Sequence, residues 1–382
     1  MKILILNYEY PPIGGGCGVV SKYHAEGLAM LGNQVTVLTT WFNGEKEEEK
    51  IDNLTIIKLK SKRKYIHKST FPEWISWIKK AKEFLNIHLQ SQSYEYCFAH
   101  FALPGGEVAR FIHRKFKIPY SIISHGQDIP WFFPKQMFKY HLITYLWIKK
   151  ICIESEKLIL LSQAMKKNAD RFMGKYSAKN KIIPNGCDCI KFTYDYAKRA
   201  FPLKILFVGR LVEQKDPMTF LRAIKILKQK NSFPFIANVL GDGPLLQKMK
   251  TFCFQNHLDQ IVEFKGWVDK EEVLLHYQSS DLKIISSKAE AMSIAALEAV
   301  STGLYIISTP VSGNTDIIEA GINGDFINFG NEIELAERIS DFYMHKYLLN
   351  YVVPEVFLNQ FKLKYNWNFI SKEIYKVCSQ DF

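Results

Sequence analysis

The chain has 382 residues, 47% hydrophobic and 23% charged, which is too long for one ordinary core and leads us to expect two globular domains. No apolar run reaches the ~18–20 residues of a membrane span. The first residues already read as a strand rather than a cleavable leader, so a cytoplasmic protein is expected. The net charge of +12 is one-sided: residues 1–183 carry 28 Lys and Arg against 15 Asp and Glu, and residues 184–382 carry 22 against 23.

In chain order, "KILILN" (2–7) reads as a strand and "VVSKYHAEGLAMLG" (19–32) as a helix ending at Gly32. "QVTVLT" and "LTIIKLK" follow as strands, with the acidic "EKEEEK" (45–50) between them as an exposed loop. "EWISWIKKAKEFLNIHL" (73–89) is a helix, "YCFAHF" a strand, "GGEVARFIHRKF" a helix, and "PYSIISHG" and "KLILLS" are strands. Short apolar strands alternating with helices predict a parallel sheet buried on both faces. Residues 1–183 are therefore expected to form one Rossmann-like domain. Residues 184–202, rich in turn formers, are read as a linker.

The alternation then restarts. "LKILFVG", "FIANVLG", "VEFKGWV", "LKIISS" and "LYIIST" read as strands, separated by helical "DPMTFLRAIKILKQ", "PLLQKMKTFCFQNH", "KEEVLLHYQSS" and "SIAALEAVSTG", with a helical turn at "NTDIIEAG". This predicts a second Rossmann-like domain over 203–362. The seven scattered cysteines include no CxxC, and the CxC at 187 and 189 lacks zinc-ligand partners, so free thiols in a reducing compartment are expected.

Ligands in such sheets bind beyond the carboxyl ends of strands, which directs attention to five loops. "EYPPIGGGCG" (9–18) holds three consecutive glycines before a helix. Read alone, it is either a loose turn or a place where main-chain N–H groups reach a phosphate or sugar. "HGQDIP" carries His125 and Asp128, and "GDGP" lies at the end of the strand "FIANVLG". "GRLVEQKD" carries Arg210 and Lys215, a planar fork and a point charge that suit a diphosphate. "SSKAEAMS" carries Glu290, and Glu298 follows in a helix starting near Met292 or Ser293. A carboxylate there accepts two hydroxyl hydrogen bonds, as a ribose or hexose diol offers. Each loop alone also fits a solvated surface.

In this order "PPIGGG", "HGQD", "IIPNG", "ILFVGRLVEQKD", "GDGP", "FKGWV" and "SSKAEAMSIAALEA" resemble the family 4 glycosyltransferases, over almost the whole chain. The resemblance implies a GT-B fold, with two Rossmann-like domains facing each other across a cleft. The terminal segment, about 363–382, is implied to pack as a helix back on the first domain. It further implies retaining transfer of a hexose-type sugar from a nucleotide-sugar, UDP- or GDP-linked, to a glycan or lipid-linked acceptor. A role in bacterial cell-surface polysaccharide or lipopolysaccharide synthesis fits the shading of "GNTDIIEAGING" and "HGQDIPWF".

Carried over by motif, Gly15 and Gly16 line the donor diphosphate and the acceptor side. His125 sits beside the transferred sugar, Arg210 and Lys215 neutralise the departing diphosphate, and Glu290 binds sugar hydroxyls. Backbone at Met292, Ser293 and Ile294 touches sugar and phosphate, and Glu298 holds the ribose. The family pattern has Gly where Ala291 stands and Pro where Leu304 stands. No cofactor and no metal is expected, since the basic loop replaces a divalent ion and no D-x-D occurs.

A dinucleotide oxidoreductase is disfavoured, because "GGGCGVV" contains no GxGxxG and the second strand ends in Thr39–Thr40 rather than an acid. The alternative is a sugar-nucleotide-binding GT-B protein of another activity: an epimerase, a phosphorylase or an inactive binding module. No nucleic-acid motif is present. For the basic half we expect contact with an anionic membrane surface, through 132–151 or through 58–82, which holds nine Lys and Arg and one acid.

Overall fold

The computed structural model describes residues 1–66, 69–132, 134–198 and 201–379, with no account of the side chains at 134–136 and 198. The chain forms two compact units, Met1–Gly186 with Trp367–Phe382, and Cys187–Asn366. The final residues 380–382 of the expected terminal helix lie outside the described residues.

The first unit is built on eight strands: β1 (Lys2–Leu6), β2 (Gln34–Thr40), β3 (Glu48–Ile51), β4 (Leu54–Leu59), β5 (Tyr96–His100), β6 (Tyr120–Ile123), β7 (Leu158–Leu160) and β8 (Asn180–Ile182). Their order is β3-β4-β2-β1-β5-β6-β7-β8. All neighbours are parallel except β3–β4. β5 and β6 are buried throughout, as strands covered on both faces must be.

The acidic run expected as an exposed loop instead supplies β3, an antiparallel edge strand. Its carboxylates answer the lysines of β4 and the residue after it: Lys58 bonds Glu45 at 2.8 Å and Glu49 at 2.7 Å, and Lys60 bonds Glu47. Like charges adjacent along the chain gain a strand because a neighbouring strand supplies the counter-charge.

The helix Phe71–His88 opens on a capping box, with the Thr70 N–H donating to Glu73 Oε2 at 2.6 Å. The helix Trp367–Ser379 packs on the helix Gly16–Met30 within this unit. Tyr23 stacks on Trp367 at 4.6 Å, and a Cβ on Gly27 would fall 1.9 Å from Ser371 Oγ, so that crossing requires glycine. Residues 363–365 end the preceding helix, Glu355–Tyr365, in the second unit.

The second unit is a six-stranded parallel sheet: β9 (Leu203–Val208), β10 (Phe235–Leu240), β11 (Val262–Gly266), β12 (Leu282–Ile285), β13 (Tyr305–Ser308) and β14 (Gly324–Phe326), in the order β11-β10-β9-β12-β13-β14. Leu203, Ile205, Phe207, Val239 and Ile284 join the helix side chains Phe220, Ile224 and Leu335 in one core. The helix Pro217–Lys230 is sharply started. Pro217 stands at its first position, and the N-cap Asp216, at φ +44, accepts the Thr219 N–H at 3.3 Å and the Thr219 hydroxyl at 2.6 Å.

Candidate functional site

In the second unit the strand order reverses between β9 and β12, and in such sheets ligands bind beyond the carboxyl ends of the strands at that point. The β9 loop carries Arg210 and Lys215, and the β12 loop carries Glu290. Lys215 Nζ donates to Glu290 Oε1, which also accepts Ser287 Oγ at 2.8 Å. Both charged side chains are largely buried, at 18% and 10% exposure. Arg210 shares the loop but is exposed and takes no part in that contact.

The two loops are laced together. Gln214 Nε2 donates to the Ala289 carbonyl and the Lys288 N–H to the Gln214 carbonyl, each at 2.8 Å. Ser286 Oγ donates to the Asp216 carbonyl at 2.7 Å, and Thr309 Oγ1 to the Ser287 carbonyl at 2.6 Å. The Lys215–Glu290 pair thus sits on a rigid frame.

The helix predicted to start near Met292 or Ser293 runs from Ile294 to Ser301. Ser293 is the N-cap but makes no side-chain cap bond, so the first-turn N–H groups at Ile294 and Ala295 have no intrahelical acceptor. Met292 is buried, and the chain lies against Gly313 (φ +79). A Cβ on Gly313 would come within 2.4 Å of the Ala291 carbonyl and 2.7 Å of Met292 Cα.

Glu298 is buried one turn further on, three residues from Ala295 and hence on the same helix face. Beneath that face lies Lys283 of β12, 1% exposed. Its Nζ donates to Tyr277 Oη at 3.0 Å and to the Ala295 carbonyl, while Tyr277 Oη donates to the same carbonyl at 3.1 Å. Burial pushes the Glu298 carboxyl up to about 7, against the pull of Lys270, Lys283 and Lys191. Burial brings Lys283 down to about 7, against the pull of Glu298. Burial thus works against the charged form of each group, and each opposes that effect on the other.

In the first unit the switch point lies between β1 and β5. The three glycines after β1 divide their roles. Gly14 takes φ +90 and packs where a Cβ would strike the Glu9 side chain at 2.7 Å. Gly15 is the N-cap and Gly16 the first residue of the helix Gly16–Met30, and nothing lies within 4 Å of a Cβ placed on Gly15. Gly14 thus serves the turn, and Gly15 leaves open space beside the helix start.

His125 is not a solitary histidine. Its Nε2 meets His100 Nδ1 at 2.9 Å, and the His100 ring lies 5.4 Å from that of His24, which Trp367 meets edge-on at 5.7 Å. Burial pulls His125 and His24 down to about 3 and His100 well below its ordinary value, so all three are neutral near pH 7. The buried Asp128 ties this corner together. It accepts Ser124 Oγ at 2.8 Å, the His125 N–H at 3.1 Å and the Ala102 N–H at 2.9 Å.

The sequence motifs point to Lys215, Glu290 and Glu298, whereas Lys283, Gln214, Thr309, Gly313, His24 and His100 join these surroundings only in the folded chain. His100 ends a strand at the carboxyl edge where ligand loops lie, and that signal was available. A single lysine inside "LKIISS" carried none.

Two family models match consecutive parts of the chain: Glycosyltransferase Family 4 over residues 14–191, and Glycosyl transferases group 1 over residues 195–351. An uncharacterised glycosyltransferase of Methanocaldococcus jannaschii, MJ1607, is 27% identical over 404 residues, covering 100% of this chain and 99% of the relative. The UDP-Gal:alpha-D-GlcNAc-diphosphoundecaprenol alpha-1,3-galactosyltransferase of Escherichia coli is 27% identical over 276 residues, covering 68% of this chain and 69% of that protein. A sucrose-phosphate synthase from Thermosynechococcus elongatus superposes with a TM-score of 0.86 at 17% identity, covering 100% of this chain and 98% of that one, and shows the fold. The two family models, together with two Rossmann-like units, define a glycosyltransferase of GT-B type. Within that class the chain belongs to the family 4 glycosyltransferases.

Proposed function

We propose that the chain is a retaining, metal-independent glycosyltransferase that moves a hexose-type sugar from a UDP- or GDP-sugar to a glycan or lipid-linked acceptor. The observation that carries this reading is the Lys215–Glu290 pair beside the uncapped helix start at Ser293. A cation, a carboxylate and free N–H groups converge there. Glu290 accepts hydroxyls of the transferred sugar. Lys215, Arg210 and the N–H groups of Ile294 and Ala295 take the diphosphate, whose charge grows as the glycosidic C–O bond breaks. Glu298 accepts the two ribose hydroxyls. No protein nucleophile is assigned; retention follows if the acceptor enters on the face the phosphate leaves. The E. coli relative named for UDP-Gal and a diphosphoundecaprenol acceptor supports a nucleotide-sugar donor and a lipid-linked acceptor, and with it a place in cell-surface polysaccharide or lipopolysaccharide synthesis.

A lipid-linked acceptor calls for a membrane surface. The helix Pro134–Glu154 turns Phe138, Leu142, Ile143 and Leu146 outward at 63%, 71%, 82% and 74% exposure, with Lys139 and Lys150 exposed on the same side. That is the composition of an interfacial helix on anionic lipid. Segment 58–82 fits less well. Lys58 and Arg63 are buried in ion-pair and carbonyl contacts, and Lys82 pairs with Glu107 at 2.6 Å. The sites of Lys68 and of the Lys135 side chain lie outside the described residues. Among the described residues no helix is long and apolar enough to cross a membrane.

The test is a thermal-shift screen of UDP-, GDP- and ADP-sugars, then product analysis with the best donor. Stabilisation by one sugar-nucleotide and a product keeping the donor's anomeric configuration support the reading. An inverted product, or isomerised donor without acceptor, contradicts it.

A further inference from the structure

Cys187 and Cys189 begin the second unit. The Cys189 N–H donates to the Cys187 carbonyl at 3.1 Å, closing a three-residue turn that brings the two flanking side chains together. The Cys187 N–H is fixed to the Tyr365 carbonyl at 2.8 Å, and the two sulfurs stand 3.2 Å apart. A disulfide needs a sulfur separation of ~2.05 Å, so closure asks for a shift of about one ångström. Access is unequal: Cys187 is buried at 1% exposure, whereas Cys189 is half-buried.

We propose that Cys187 and Cys189 form a dithiol modification site, which a small-molecule disulfide oxidises to an intramolecular Cys187–Cys189 bond. The electrostatics divide the roles. The hydrogen bond from Cys187 and the nearby Lys362 ammonium pull the Cys189 thiol below its ordinary value. The same hydrogen bond and burial push Cys187 up. Cys189, the more accessible of the two, loses its proton and attacks one sulfur of the external disulfide, forming a mixed disulfide and releasing one thiol. Cys187 then loses its proton and attacks Cys189 Sγ, expelling the second thiol. Two protein thiols and one small disulfide become one protein disulfide and two small thiols. Ser301 Oγ, at the end of the helix that carries Glu298, donates to the Phe192 carbonyl, and the Phe192 N–H donates at 2.7 Å to the carbonyl of Asp188, the residue between the two cysteines. The bond therefore forms against the element that holds the proposed ribose contact. The site itself does not depend on the glycosyl-transfer reading.

The test incubates the full chain with oxidised glutathione, followed by intact mass and peptide mapping. Expected is a loss of two hydrogens with no retained glutathione, a 187–189 peptide with an internal disulfide, and reversal by dithiothreitol. Cys187→Ser should keep one glutathione on Cys189, and Cys189→Ser should leave Cys187 unmodified. If either variant misfolds, the wild-type peptide map decides alone. Glutathione persisting on wild-type Cys189 would overturn the proposal. So would reaction at Cys17, the other half-buried cysteine, with 187 and 189 left reduced.

Discussion

Lys215 and Glu290 lean on each other, and this sets how variants of either should behave. In the proposed function Lys215→Ala removes a charge contact to the leaving diphosphate, so kcat/KM should fall by ~10²-fold or more. It also leaves a largely buried carboxylate without its ammonium, so the melting temperature should drop as well. Full kcat/KM in a folded Lys215→Ala protein would remove the assignment. The two glutamates should separate cleanly. Glu298→Gln should weaken UDP or GDP binding by calorimetry, whereas Glu290→Gln should spare free nucleotide and damage transfer. Because burial raises Glu298 to about 7, nucleotide affinity should decline as pH falls through 7, and Glu298→Gln should lack that component. Lys270, Lys283, Lys191 and Asp188 set the field around it. The motif loops made these glutamates legible. Lys283 was not, because one lysine in an apolar strand acquires meaning only when β12 slides under the helix and sets it against Tyr277 and the Ala295 carbonyl.

The helix Pro134–Glu154 makes the clearest prediction among the elements. Replacing Leu142 and Ile143 together by Glu should reduce co-sedimentation with anionic vesicles by at least ~10-fold, since each buried aliphatic side chain contributes ~1.5–3 kcal/mol. The melting temperature should not move, because both side chains already face solvent. Binding should weaken as salt rises and be absent with neutral vesicles. Unchanged vesicle binding in the double variant would exclude this helix as the contact. Elements with strong periodicity, such as the central strands and the helix Pro217–Lys230, were readable from the chain. The edge strand β3 was not, because "EKEEEK" becomes a strand only through the lysines that follow it. The apolar face of Pro134–Glu154 was visible as composition, but whether it faced core or solvent depended on packing.

For the molecule as a whole, three neutral histidines in the first unit tie stability to pH. His24, His100 and His125 are protonated in the unfolded chain below about 6.5 but resist it in the fold, His24 and His125 down to about 3. The unfolded state therefore binds more protons in that window, and stability falls as pH falls through it, by ~1.4 kcal/mol per pH unit for each histidine. Asp128, raised by burial, offsets part of this above its ordinary value. Calorimetric unfolding from pH 7 to 4 should show the loss, and His24→Leu should reduce its slope; a flat profile would contradict a neutral cluster. The proposed role of the loops after β9 and β12 is to hold a nucleotide-sugar while its sugar departs. It is tested most directly by measuring nucleoside diphosphate released from UDP- and GDP-hexoses, in excess EDTA, by wild type and by Lys215→Ala. Release by wild type should persist in EDTA and fall ~10²-fold in the variant. Release that vanishes in EDTA and returns with Mg²⁺ or Mn²⁺, or that is equal in the two proteins, would contradict it.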